Sequence, residues 1–92
     1  MAESERARRV ATRIRAELME LFLRGDVKDP GARGAIVHDV RVTADLQHAR
    51  VYVRLSEPEP SEGRRQALLR ALGRAGGFLR REVGRRVGLR HA

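Results

Sequence analysis

A chain of 92 residues has room for one domain with a single modest core. It contains no cysteine, which excludes disulfides and thiolate metal sites, and no run approaches the ~18 consecutive apolar residues that a bilayer span requires. The formal net charge is +8, and it is unevenly spread: residues 1–60 hold eleven Lys/Arg against ten Asp/Glu, whereas residues 61–92 hold nine Arg against Glu62 and Glu82 alone. Such a local excess is the electrostatic footprint of a polyanion partner, most often nucleic acid and less often an anionic membrane surface. Nineteen of the twenty basic residues are Arg. Arg forks phosphate better than Lys, although a GC-rich genome produces the same bias. The charged start "MAESERARRVATR" lacks the apolar core of a signal peptide, so the expectation is a soluble, cytoplasmic protein.

The chain begins with an amphipathic segment. From Ser4 to Leu23, Val10, Ile14, Leu18, Leu21 and Phe22 recur at helical spacing and Ala7 and Ala11 extend the stripe, with charged residues around the rest of the circumference. Ser4 is the expected N-cap and Gly25 the expected stop. The stretch "GDVKDPGARG" (25–34) clusters Gly, Asp and Pro and reads as a turn-rich loop. Two strands are expected next. In "AIVHDVRVT", Ile36, His38, Val40 and Val42 alternate with Val37, Asp39 and Arg41; in "HARVYVRLS", Ala49, Val51, Val53 and Leu55 alternate with Arg50, Tyr52 and Arg54. The "ADLQ" turn between them predicts an antiparallel hairpin, its apolar face meeting the first helix.

After the proline-containing break "EPEPSEG", a second helix is expected from Ser61 or Glu62 through Leu68, Leu69, Leu72 and Ala75, and a third from about Phe78 through Leu79, Val83 and Val87. Gly76 and Gly77 fall at their junction. A glycine costs a helix interior about 0.5–1 kcal/mol relative to Ala, so two in succession predict a break.

Catalytic and metal chemistry find little support. His38, His48 and His91 are scattered without ligand spacing, there is no Ser/His/Asp or Cys/His set, and no phosphate-binding loop of the Walker type is present. Asp26, Asp29, Asp39 and Asp45 sit where carboxylates cap turns or face solvent. No catalytic residue, cofactor or metal is expected. With Tyr52, Phe22 and Phe78 as the only aromatics, phosphate and shape contacts should outweigh base stacking.

Three stretches in this order, "RVATRIRAELMELFLRGDVKDP", "VRVTADLQHARVYV" and "ALGRAGGFLRREVGRRVGLR", resemble the ribosome-binding factor A family over about 80 residues. The resemblance implies a single α+β domain over residues 1–92 with a KH-like (type II) fold, ordered helix-strand-strand-helix-kink-helix. It also implies a third strand after Leu89-Arg90, which in this chain would be short or missing. An Ala-x-Gly kink replaces the Gly-x-x-Gly loop of ordinary KH domains, and here it falls on Ala75-Gly76-Gly77. In a KH-type groove such a junction lets backbone N–H groups and the next helix's N-terminus meet phosphates. The RNA-binding set expected on this basis is Arg74, Ala75, Gly76, Gly77, Arg80, Arg81, Arg85 and Arg86. Gly73-Arg74-Ala75-Gly76 also spells Gly-x-x-Gly, as does Gly31-Ala32-Arg33-Gly34, the latter read as turn chemistry.

The function implied is a non-catalytic factor, monomeric when free, that binds the immature small (30S) ribosomal subunit and assists late maturation of its 16S rRNA. A structural reading competes with it, in which the glycines let two helices cross closely and the arginines are a solvated face. Three other classes stay open: a general basic DNA- or RNA-binding protein, a protein-interaction module for an acidic partner, and a membrane-surface protein. The last would anchor through Leu79, Val83 and Val87, a narrow stripe.

Overall fold

A computed structural model of the protein describes residues 4–88. Helix α1 (Glu5–Leu23) leads through a 3₁₀ turn (Pro30–Ala32) to strands β1 (Ala35–Val42) and β2 (Ala49–Leu55), and the last element among the described residues is helix α2 (Glu62–Val87). The strands form a two-stranded antiparallel sheet. The expected third strand lies outside the described residues.

The start and stop of α1 are those its sequence signals. The Ser4 hydroxyl accepts a hydrogen bond from the Ala7 N–H at 3.0 Å, satisfying one of the donors left open in a first turn. At the other end Gly25 takes a left-handed conformation with φ of +75°, which a side chain would resist. The stripe Ala7, Ala11, Ile14, Leu18 and Leu21 is buried against Val37, Val40 and Val42 of β1, with Val83 of α2 closing the cluster.

The strict alternation expected for β1 does not hold. Val37 pairs with Val53 and Asp39 with Tyr52, so His38 is an extra residue, a β-bulge. Beyond it the side-chain phase shifts by one. The buried residues are therefore Ala35, Val37, Val40 and Val42, while Ile36 is only half-buried and His38 is exposed. Val37 and Val40 are three apart, a spacing that flat alternation cannot bring to one face but a bulge can.

The loop from Gly25 to Gly34 is tied to α2. Asp29 accepts the Gly31 N–H at 3.0 Å, and Arg64 of α2 donates to the carbonyls of Gly31 and Arg33 while pairing with Glu57. Gly31 lies directly on the α2 backbone: a Cβ there would meet the Ala67 carbonyl oxygen at 2.7 Å and the Ala71 Cβ at 3.0 Å.

The largest departure concerns α2. The expected glycine break and separate third helix are absent, and one helix of 26 residues runs from Glu62 to Val87, capped by the Ser61 hydroxyl accepting from Arg64 N–H at 3.0 Å. Gly73, Gly76 and Gly77 are all inside it; the glycines with positive φ are Gly25, Gly34 and Gly88. The propensity penalty is overridden by packing on both sides. Leu68 joins a cluster with Ala35 and Leu55, with Leu72 against it, and Val83 joins the main cluster, with Phe78, Leu79 and Val87 against it. Leu69, expected on the apolar stripe, is 63% exposed.

Two glycine substitutions should move stability in opposite directions. Gly31→Ala should lower the unfolding free energy by about 1–3 kcal/mol, because the obstructing atoms belong to helix backbone. Gly76→Ala meets nothing within 4 Å and should raise it by about 0.5–1 kcal/mol. Urea unfolding of both variants checks this; a destabilised Gly76→Ala would contradict the continuous helix.

Candidate nucleic-acid interface

Most of the basic third of the chain forms α2 (Glu62–Val87), and the structure divides its arginines from Arg70 to Arg86 into two groups. The first is engaged. Arg74 Nε meets Asp29 Oδ2 at 2.6 Å, a charge-assisted hydrogen bond that, with the Gly31 N–H, holds the Asp29 carboxyl below its ordinary value and raises Arg74. Arg85 reaches Glu82 at 2.7 Å, one turn back on the same helix, and lowers the Glu82 carboxyl, with Arg86 adding to the effect. Arg86 is a strut between helices: it lies 3.2 Å from Glu17 and 3.6 Å from Glu20 on α1, with its side chain only 19% exposed. Its carbonyl accepts from Arg13 at 3.0 Å, which satisfies one of the open carbonyls at the end of α2.

The second group is free. Among the described residues, Arg80 and Arg81 are exposed and their side chains have neither an acidic partner nor a hydrogen bond, and Arg70 joins them. Arg70 is absent from the set expected from sequence, although the spacing 70, 73, 77, 80 and 81 puts it on one helical face with Gly73, Gly77, Arg80 and Arg81. A Cβ at Gly73 or Gly76 would meet nothing within 4 Å, and at Gly77 only the flexible tip of Arg81 at 3.3 Å. The glycines therefore do not admit a crossing helix. They leave a strip of α2 backbone bare between guanidinium groups.

This geometry changes the chemistry expected of Ala75-Gly76-Gly77. Inside a continuous helix the N–H groups of Gly76 and Gly77 serve the helix itself, and no new helix N-terminus points outward there. A phosphate can come close to the backbone, but the positive charge that holds it must come from Arg70, Arg80 and Arg81.

On its other side α2 borders an apolar groove of about 480 Å³, walled by Ile14 and Leu18 of α1, Val51 and Val53 of β2, and Leu72 and Leu79 of α2, with Arg80 at its margin. The apolar face of β2 is thus open, Val51 being 38% exposed, rather than covered by α1 as the hairpin reading expects. Among the described residues no cluster of His, Asp or Glu is arranged to hold a metal, and no helix is long and apolar enough to cross a membrane.

Comparison with known proteins adds a second, independent line. The family model described as Ribosome-binding factor A matches residues 6–92. The chain belongs to the ribosome-binding factor A family. A family member from Sorangium cellulosum is 46% identical over 86 residues, covering 94% of this chain and 68% of its own length. One from Desulforamulus reducens is 38% identical over 89 residues, covering 97% of this chain and 71% of its own. One from Halorhodospira halophila is 43% identical over 82 residues, covering 89% and 63%. In this chain the expected site residues fall into three that are committed to ion pairs (Arg74, Arg85, Arg86), two that are free among the described residues (Arg80, Arg81) and three small residues within the helix (Ala75, Gly76, Gly77).

The Asp29–Arg74 pair sets a pH dependence. Because the folded-state value of Asp29 lies below its ordinary 3.8, the pair's contribution to stability is complete above the ordinary value and is lost as pH falls through the depressed one. Asp29→Asn should lower Tm at neutral pH, and the gap to wild type should narrow on acidification below the ordinary carboxylate range. Melting curves across that range decide it; parallel curves would show that the pair contributes nothing to folding.

Proposed function

We propose that this chain is a non-catalytic RNA-binding factor of the cytoplasm that docks on the immature small (30S) ribosomal subunit and assists late maturation of its 16S rRNA. The domain, taken over residues 1–92, is a single KH-like unit, and the order helix, antiparallel strand pair, helix supports that reading. The observation that carries the proposal is the outward face of α2, where Arg70, Arg80 and Arg81 have no acidic partner among the described residues and flank the bare backbone of Gly73 and Gly77. Charge left uncompensated in this way, next to a surface without side chains, suits a phosphate backbone better than an acidic protein surface, which would demand shape-matched side chains. The relatives' name, which speaks of binding the ribosome, agrees.

Catalysis in this reading has no part. The protein acts by occupying and positioning RNA, and its affinity is governed by counterion release, so binding weakens steeply as salt rises. Arg74 and Arg86 contribute indirectly, by holding α2 against the loop and against α1, while Arg85 is spent on Glu82 of the same helix.

The decisive measurement is co-sedimentation of the protein with immature and mature small subunits over a range of salt. Preferential recovery with immature particles, falling as salt increases, is expected. Arg80→Glu with Arg81→Glu should reduce recovery at least tenfold, while far-UV circular dichroism and Tm stay near wild type. Gly77→Val should also weaken binding without unfolding the helix. Equal recovery with both particles would overturn the assembly-factor reading, and binding indifferent to salt would overturn the arginine mechanism.

A further inference from the structure

A second basic feature lies away from α2. A crevice of about 330 Å³ opens between α1 and β1, with Arg8, Thr12 and Arg15 on one wall and His38 and Asp39 on the other. Arg8, Thr12 and Arg15 follow one another along one flank of α1, at i, i+4 and i+7. Arg13, Glu17 and Glu20, which meet Arg86 of α2, occupy the opposite flank. The crevice is therefore separated from the α2 face by the body of α1.

Its groups are poised rather than consumed. Arg15 donates through Nε to the Val37 carbonyl at 3.4 Å, which steadies the side chain and leaves its two terminal nitrogens without a partner among the described residues. Arg8 has only Glu5, at 3.7 Å in a pair more than 60% exposed on each side, a contact worth little in water. The Thr12 hydroxyl is turned to the Arg8 carbonyl at 3.1 Å. His38 is the extra residue of the β-bulge, exposed and with no side-chain hydrogen bond among the described residues. Bulges commonly re-aim one side chain in this way. The one acidic wall residue, Asp39, is already occupied: its Oδ1 accepts the Val40 N–H at 2.9 Å and its Oδ2 meets Arg41 at 3.1 Å.

We infer that the crevice is a second phosphate-holding site, which takes one phosphodiester of the RNA backbone between the guanidinium groups of Arg8 and Arg15 and the imidazole of His38. Two planar forks on one wall match the oxygens of a phosphate, and the third donor faces them across the gap. The inference rests on the RNA-binding reading of α2 and extends it: with phosphate contacts on the β1 side of α1 and on the outward face of α2, the domain grips RNA at two separated points, so that particle shape as well as charge enters recognition.

Because the native chain has no cysteine, single cysteines report position cleanly. Ala16→Cys and Gln66→Cys, at exposed positions one turn from Thr12 and from Arg70, each carrying an iron chelate that cleaves nearby RNA, are bound to immature small subunits. Cleavage of the rRNA from both positions, at different nucleotides, is expected. In parallel, Arg8→Gln with Arg15→Gln should reduce the slope of log K against log salt by roughly 0.7–0.9, the value for one phosphate, and the corresponding double Lys variant should restore it. Arg8→Gln alone, which keeps the Arg15 bond to Val37, should weaken binding with no change in Tm. Cleavage from position 66 but not from position 16, with an unchanged slope, would overturn this inference and leave the α2 reading intact; cleavage from neither would overturn both. A response of His38 to inorganic phosphate without cleavage from position 16 would mark a free-anion site and overturn the RNA assignment.

Discussion

Helix α2 holds three glycines within five residues, Gly73, Gly76 and Gly77, and remains helical because its two ends are packed into different parts of the core. Leu68 is fixed against Ala35 and Leu55, and Val83 against α1 and β1, while Phe22 touches both clusters from α1. Polar contacts reinforce the same two points. Arg64 and Arg74 tie the first half to the loop before β1, and Arg86 ties the second half to Glu17 and Glu20. A segment with poor intrinsic propensity is thus suspended between two anchors, and its outward face is free to lack side chains.

That arrangement explains why the arginines of the basic third are not equivalent. Arg74, Arg85 and Arg86 neutralise carboxylates; Arg70, Arg80 and Arg81, on the outward face, have no carboxylate partner among the described residues. The net excess of the region is therefore expressed mainly on one face of one helix. The same economy operates on α1, whose flank toward α2 is charge-compensated by the Arg86 contacts while the flank toward β1 presents Arg8 and Arg15 to an open crevice. Two basic surfaces result, separated by a helix whose apolar stripe is wholly committed to the core.

The β-bulge at His38 connects fold and site in a similar manner. It lets Val37 and Val40 both enter the core despite their odd spacing, and the residue displaced to achieve this is the one exposed beside the α1 arginines. Packing demand on one face of the strand thereby decides which side chain stands on the other.

Much was legible from the chain alone. The limits of α1 followed from Ser4 and Gly25, the hairpin from period-two alternation, the concentration of charge after residue 60 from counting, and the family from three stretches in order. These are local properties, encoded within a few neighbouring residues or in composition. What tertiary structure alone decided was non-local. A glycine's cost is local, but the packing energy that outweighs it in α2 comes from Leu55, Ala35 and α1, far away in sequence, so the helix expected to break does not. Which arginines are free depends equally on where Asp29, Glu17 and Glu20 come to rest, and that position is set by how the helices and loop pack together.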